Sequence, residues 1–445
     1  MQPYLRLGIE HNNCFTYLVI SDRALLSRYF HRFAFGPKPG EFKSALVLGA
    51  DNYFGKLLES APVSKVPDPT FELLGPIPQA GSILRGQWQI KMQAQRVQLA
   101  MWWLDRMADV ENPLTERMVW FWHGHWATSL SKVEYATAMY VQNQIFRNNA
   151  LGDFRTQSQK MIMDSALQFW LDNNYNSVKA PNENLARELM ELFILGVNRY
   201  TEDDVKQAAR ALTGYSLNRE SGVVTYDVNK HDSANQNILG SSSNYNAQSL
   251  TDFLISQDSC EKFIPERLWY RFINDQTPPT DTVIKQAFKN RNIKDALRAT
   301  ASHPELRNEA NSMVKPPLEW FIGACRALNI LPSQVAKPET ILNYLDKLGQ
   351  KPFYPPNVGG WPSGEIWLTA ANAQYRIELA TILVKASDKS ALTNVIAPLR
   401  TTVLADLLGV GAWRAQTKTA LVAAQMDVER MLITALCAPD YVVNS

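Results

Sequence analysis

The stretch PNENLARELMELFILGVNRYTEDDVKQAARALTG, residues 181–214, predicts two short amphipathic helices. In the first, hydrophobic residues recur at helical spacing, at Leu185, Leu189, Leu192 and Phe193. Asn182 can cap the start of this helix, and Gly196 ends it. Thr201 can cap the second helix, and Gly214 ends it.

The same stretch carries six acidic residues and three arginines, more charge than solubility requires. Asn184, Glu188 and Glu191 fall at positions i, i+4 and i+7 and share one helical face, with Arg187 within reach of Glu191. Neighbouring helices of a large bundle should also cover this face. We therefore expect Arg187, Glu188 and Glu191 to be buried and paired.

Six segments resemble the large bacterial family called "domain of unknown function 1800". In chain order they are ERMVWFWHGHWATS (116–129), NNALGDF (148–154), PNENLARELMELFILGVNRYTEDDVKQAARALTGY (181–215), HDSANQNILG (231–240), VKPPLEWFIGACRAL (314–328) and PPNVGGWPSGEIW (355–367). The resemblance covers about the whole chain, so it implies one domain over residues 1–445. It implies no activity, because the family's name records that none was assigned.

Elsewhere the chain predicts helices almost without interruption, and we expect an all-α, bundle-like unit. Its subregions are N-terminal helices (1–60), a proline-rich connector (61–86), a helical core (87–214), a hairpin with a polar loop (215–248) and C-terminal helices (249–445). The β-prone residues Val223 to Val228 follow Ser221-Gly222, so we predict a small hairpin around 215–230.

Composition excludes some classes of function. The chain has 445 residues, and 45 basic against 43 acidic side chains give a net charge of +2, which does not favour nucleic acid. No stretch approaches the roughly 18 apolar residues of a membrane span. The N-terminus around Cys14 makes a poor signal peptide, so a cytoplasmic protein is the default expectation. Many relatives look exported, and an export leader missing from this sequence would place the protein in the periplasm or outside.

The family-like segments contain three of the six histidines, which suggests a metal site or acid–base chemistry. His123 and His125 are metal-ligand candidates, although residues two apart on a helix point about 200° apart. The alternative is a pair of buried histidines that pack between tryptophans.

Glu188 and Glu191 are the carboxylates of the candidate ligand set, to which His231 could also contribute, although this chain has Glu-Leu-Met-Glu where di-metal bundles have Glu-x-x-His. The alternative is a salt-bridge network with Arg187 and Arg210. His231 and Asp232 lie on the polar loop after the hairpin and are candidate catalytic residues, with Arg187 as an anion-positioning group. Asp232 could instead cap the following turn.

The segment 354–367, YPPNVGGWPSGEIW, is too rich in proline and glycine for a helix or strand. On this loop Trp361 and Trp367 could form a stacking surface for a sugar ring. The alternative is that both indoles anchor the loop to the core. The chain contains no GxGxxG, Walker, GxSxG or HExxH motif, so nucleotide use and the common hydrolase mechanisms have no support.

Two hypotheses follow. The first is an enzyme dependent on a divalent metal ion, with His123, His125, Glu188 and Glu191 as ligands. The second is a non-catalytic helical protein that binds or assembles, in which the charges form a structural network. Genes for family members often lie beside genes for sulfatase-like proteins. Through this gene neighbourhood, the resemblance to the family implies a sulfatase-like partner and a carbohydrate or surface substrate.

Overall fold

The computed structural model describes residues 20–218 and 221–444. The N-terminal segment around Cys14, which bears on the expectation about a leader, lies outside these residues. Within the described ranges the fold is mainly helical, and every strand belongs to a two-stranded antiparallel sheet. The prediction of an all-α fold with small β excursions is confirmed.

The first helix, α1 (Asp22–Arg28), continues as a π-helical turn over Tyr29–Phe33. After Gly36-Pro37 the chain forms α2 (Glu41–Leu48) and α3 (Ala50–Glu59). Residues 61–82 contain neither helix nor strand, as the spacing of the prolines predicts. The long helix α4 (Ile83–Asp109) follows.

The central helices run from α5 to α11. They are α5 (Leu114–His125), α6 (Leu130–Val133), α7 (Ala136–Asn148), α8 (Phe154–Ile162), α9 (Ser165–Trp170), α10 (Asn184–Glu188) and α11 (Glu202–Ala211). A 3-10 turn, Asn173–Tyr175, lies between α9 and α10.

The two helices predicted in residues 181–214 form, and their ends are close to those expected. The Asn182 side chain accepts a hydrogen bond from the backbone N–H of Asn184 at 2.9 Å. Thr201 and Asp204 form a capping box at the start of α11. However, α10 continues as a π-helix, Leu189–Ile194, in which each turn holds an extra residue. This change of period rotates Glu191 relative to the predicted face.

The predicted hairpin is present as β1 (Tyr215–Leu217) paired with β2 (Val224–Tyr226). A second hairpin pairs β3 (Gln236–Ile238) with β4 (Ser241–Ser243). A third sheet, β5 (Met313–Val314) with β6 (Val443–Asn444), was not predicted. Strands of two residues are too short to give an alternating pattern in sequence.

The C-terminal helices are α12 (Ala247–Ser256), α13 (Asp258–Phe272), α14 (Val283–Ala287), α15 (Ile293–Ser302), α16 (Pro317–Ala327), α17 (Pro332–Val335), α18 (Pro338–Lys347), α19 (Ala370–Ala386), α20 (Ser390–Thr393), α21 (Ala397–Leu408), α22 (Ala415–Ala423), α23 (Val428–Cys437) and α24 (Pro439–Val442). Two 3-10 turns, Pro304–Arg307 and Gly364–Trp367, interrupt this series.

One hydrophobic cluster reaches from Leu25 to Val442. Helix α5 packs on α7, α16 packs on α4, and α19 packs on α23. Every residue of α5 except Gly124 is buried. Polar side chains on this helix must therefore find partners inside the protein. None of the helices in the described ranges is long and apolar enough to cross a membrane.

Candidate functional site

His123 and His125 lie on different sides of α5, as their spacing indicates. The His123 ring packs against Trp103, Phe353 and Trp361, with ring centroids 5.3–5.4 Å apart. Burial lowers the pKa of His123 to about 3, and its Nε2 has no hydrogen-bond partner among the described residues. This imidazole is therefore neutral and enclosed by aromatic rings.

His125 packs against Phe193 and Phe263. Its Nε2–H donates a hydrogen bond of 2.8 Å to the carbonyl oxygen of Phe193. Burial, and secondly the charge of Arg267, lower the pKa of His125 to about 3. Each imidazole therefore has neighbours of its own, and the two do not face a common point.

Glu116, in the first turn of α5, is the carboxylate at the centre of a buried charge network. It accepts hydrogen bonds from Trp103 Nε1 at 3.0 Å, Arg106 Nε at 2.7 Å and both nitrogens of an Arg147 fork at 2.5 and 2.8 Å. Burial acts to raise the pKa of Glu116, but the charges and hydrogen bonds of Arg147 and Arg106 hold it below its usual value. Both oxygens of Glu116 have partners inside the protein, so the network is structural.

Arg187, Glu188 and Glu191 are only partly buried, so the prediction that they are buried is wrong. Arg187, whose side chain is 33% exposed, forms ion pairs with Glu183 and Glu202 and not with Glu191. Glu191 accepts a hydrogen bond from the Tyr200 hydroxyl. Burial, and secondly the charge of Glu191, raise the pKa of Glu188. The helices that cover the apolar face of this segment do not cover its charged face.

His231 and Asp232 attach the hairpin loop to the end of α11. His231 Nδ1–H donates to the carbonyl oxygen of Thr213 at 3.0 Å. Asp232 accepts a hydrogen bond from Arg210 Nε at 2.6 Å, which contributes to holding its pKa below the usual value. It also accepts from the backbone of Ala234, as the capping alternative predicts. Their catalytic roles stay a prediction.

The described part of the chain contains no group of three or more His, Cys, Asp or Glu side chains that could hold a metal ion. His123 is enclosed by aromatic rings, Glu191 is hydrogen-bonded to Tyr200 with Glu188 near it, and His231 packs against Tyr226 of the hairpin. The candidate ligands are thus distributed over separate parts of the fold.

The tryptophans of the loop 354–367 have different surroundings. Trp367 is buried, and its carbonyl oxygen accepts a hydrogen bond from Arg376 at 2.9 Å. Trp361 is partly exposed and stacks on Trp120 of α5, with centroids 4.5 Å apart. Trp367 therefore holds the loop in place, whereas Trp361 forms part of a cavity wall.

That cavity is open to solvent on one side and has a volume of about 140 Å³. We call it the arginine pocket, and its main lining residues are Arg267, Tyr270, Arg271, Gln350, Trp361 and Ser363. The two arginines come from α13, four residues apart and therefore on one helical face. The opposite wall is the start of the tryptophan loop.

The two arginines differ in how their charges are compensated. Arg271 pairs with Glu319, which also pairs with Arg117. Burial acts to raise the pKa of Glu319, but Arg117 and Arg271 hold it below its usual value. Arg267 forms no hydrogen bond or ion pair with the described residues. Burial, and secondly the positive charge of Arg271, lower the pKa of Arg267.

Sequence reasoning missed both pocket arginines. The sequence did carry a signal for them. Arg267 and Arg271 lie four residues apart in IPERLWYRF, and no acidic residue lies four positions before or after Arg267 to compensate their charges. Arg117 and Glu319 lie in family-like segments, but nothing in the sequence indicates that they meet. Ion pairs between distant segments leave no periodic pattern.

A family model described as "Protein of unknown function (DUF1800)" matches residues 28–443. The chain belongs to this family. No curated protein and no solved structure gives a significant match. Three of the family-like segments meet around the arginine pocket, since they supply Gly124, Glu319 and Trp361.

Proposed function

We propose that this DUF1800 protein binds an anionic molecule, or the anionic end of a larger one, in the arginine pocket. The observation that carries the proposal is Arg267, a partly buried arginine that lines the pocket and has no hydrogen-bond or ion-pair partner within the described residues. Moving an ionised group out of water is costly unless a charge or hydrogen bond compensates it. A bound anion would supply that compensation.

Arg271 adds to the attraction without being free to move. Glu319 fixes one side of its guanidinium, so Arg271 is held in place beside Arg267. Two guanidiniums on one side of a site are the arrangement that recognises carboxylate, phosphate or sulfate groups. No carboxylate is among the residues that line the described pocket, and the charge of Glu319, beside Arg271, is compensated by Arg117 and Arg271.

The size of the pocket limits what enters it. About 140 Å³ is smaller than the roughly 300–1,000 Å³ of sites that enclose a drug-sized ligand. The pocket therefore suits one charged group with the ring that bears it. Trp361 and Tyr270 in the wall support the earlier proposal of a carbohydrate ligand, here in the form of an acidic sugar.

This proposal develops the binding hypothesis and keeps Trp361 as a ligand-contacting residue. The metal-dependent enzyme, with Arg187, His231 and Asp232 as catalytic groups, has no assembled ligand set in the described residues to support it. The sulfatase-like partner likewise has no supporting surface feature, and it stays a prediction.

Thermal unfolding in the presence of small ligands tests the proposal. Glucuronate and inorganic phosphate should raise the melting temperature, because a ligand that binds only the native state stabilises it by mass action. Glucose, which is neutral, should not. Arg267→Met should remove the shifts. Lys262→Met, which removes an exposed charge from the same helix, should keep them. Equal shifts in the two variants would contradict the proposal.

A further inference from the structure

A second and smaller cavity lies on the far side of the Arg271–Glu319 ion pair. Its volume is about 20 Å³, enough for one water-sized occupant. We call it the lysine cavity, and its titratable lining residues are His31, Arg32, Arg117, Arg271, Lys315 and Glu319. It shares Arg271 with the arginine pocket, but it is a separate space.

Lys315 is the unusual member of this group. The residue is only 4% exposed, and its Nζ has no hydrogen-bond partner among the described residues. The face of the Tyr441 ring lies close to the amine, with the ring centroid 3.4 Å from Nζ. A buried ammonium group normally makes two or three hydrogen bonds. The amine of Lys315 therefore lacks an acceptor.

The charges around the cavity do not balance. Three arginines and Lys315 line it, and Glu319 is the one carboxylate in the described lining. Arg32 and Arg117 make their other hydrogen bonds to neutral oxygens, for example Arg117 Nε to the carbonyl of Arg32 at 2.7 Å. Two further charges act on Arg32, the positive charge of Arg28 and the opposing negative charge of Asp275. A water molecule could fill the cavity but could not reduce this excess of positive charge.

We infer that the lysine cavity binds a single monoatomic anion, of which chloride is the physiological example. Such an ion is only slightly larger than water and would give Lys315 the acceptor it lacks. Phosphate, sulfate and carboxylates are too large for the cavity. The site therefore differs in ligand from the arginine pocket, and the inference does not depend on the proposed function.

Protonation of Lys315 accompanies anion binding. Burial lowers the pKa of Lys315 well below its usual value. The negative charge of Glu319 opposes this shift, and the positive charge of Arg376 adds to it. Burial, and secondly Lys315, lower the pKa of His31, and burial raises that of Tyr441. An anion beside Nζ raises the pKa of Lys315 again. Binding is then tighter at lower pH, because the occupied site takes up a proton.

Thermal unfolding at constant ionic strength tests this inference. Gluconate is an acidic sugar that the arginine pocket would bind, so Arg267→Met serves as the parent protein for this comparison. With about 150 mM chloride in place of gluconate, its melting temperature should be higher by ~2 °C or more. Lys315→Met should lose this difference, because it keeps the packing of the stem and removes the amine. In the same parent, Lys289→Met, at an exposed position, should retain it.

A crystal soaked in bromide adds a direct readout. The expected result is an anomalous peak within hydrogen-bond distance of Lys315 Nζ in the wild type and none there in Lys315→Met. Identical melting in chloride and gluconate would overturn the inference, as would a chloride effect that survives in Lys315→Met. A bromide peak without any chloride effect on melting would mean an adventitious ion only.

Discussion

Gly360 lies directly against Gly124, so that a Cβ atom on Gly360 would overlap the carbonyl oxygen of Gly124. Gly360 also has φ +84°, which L-residues with side chains rarely adopt. This contact joins the tryptophan loop to α5 and lets Trp361 stack on Trp120. The wall of the arginine pocket therefore depends on the absence of a side chain at one position.

The first prediction concerns this contact. Gly360→Ala should destabilise the protein by about 3 kcal/mol or more, since it adds backbone strain to a steric overlap. Gly86→Ala is the control, because Gly86 lies exposed in α4 and a Cβ there meets nothing within 4 Å. It should stabilise the protein by about 0.5–1 kcal/mol. Urea unfolding of both variants checks this, and equal effects would contradict the packing described.

The second prediction compares two glutamates. Glu116→Ala should cost about 3–5 kcal/mol, because it leaves Arg106 and Arg147 without their buried partner. Glu188→Ala should change stability by less than about 1 kcal/mol, because its side chain is partly solvated and lies near Glu191. Denaturant unfolding measures both. A larger loss from Glu188→Ala would restore the prediction of a buried acidic pair in α10.

The third prediction concerns Asp164, which is buried and accepts hydrogen bonds from Gln142 Nε2 and Leu167 N–H on one oxygen. Its other oxygen has no partner in the described structure, and burial raises the pKa of Asp164 to about 7. The folded state therefore binds this proton more tightly than the unfolded state. Its contribution to stability is complete below about pH 4 and is lost as the pH rises through about 7.

Asp164→Asn should remove this dependence and keep the accepting oxygen. The stability of the variant relative to the wild type should rise between pH 4 and 8, by at most about 4 kcal/mol. Asp153→Asn, at the start of α8, is the control, because it changes the net charge by the same amount as Asp164→Asn. Parallel stability curves for wild type and Asp164→Asn would show that the carboxyl does not titrate differently on folding.

The fourth prediction concerns metal binding. His123→Ala should lower stability by about 2–4 kcal/mol, because it leaves a cavity among aromatic rings. Chelator should leave the melting temperature of the wild type unchanged, since the described His and Glu side chains do not converge. Elemental analysis of untagged protein provides the second measurement. Stoichiometric metal, with a melting temperature that falls in chelator, would favour the metal-dependent enzyme.

Local patterns in the sequence predicted the helices well, because an amphipathic helix and its caps are defined by neighbouring residues. Thr201 caps α11 and Gly196 follows the end of its predecessor, as expected. The π-helical turn at Leu189–Ile194 was not foreseen. The sequence around it has ordinary helical spacing, so no local pattern marked it.

The site was harder to predict because it is made by contacts over long distances in the chain. Trp361 was identified from its loop, but Arg267, which lines the same pocket, lies 94 positions earlier, in helix α13. The concentration of the few histidines in family-like segments suggested metal ligands. Long-range packing instead determines which groups surround each imidazole. An unpaired charge becomes visible only when all of its neighbours are known.

Calorimetric titration of glucuronate into the wild type and Arg267→Met tests the central claim most directly. Charge-assisted hydrogen bonds to an arginine contribute about 1.5–3 kcal/mol, so the variant should bind roughly 10- to 100-fold more weakly. Lys262→Met should bind as the wild type does. Saturable binding of equal affinity in all three proteins, or no binding of glucuronate or phosphate to the wild type, would contradict an anion site at Arg267.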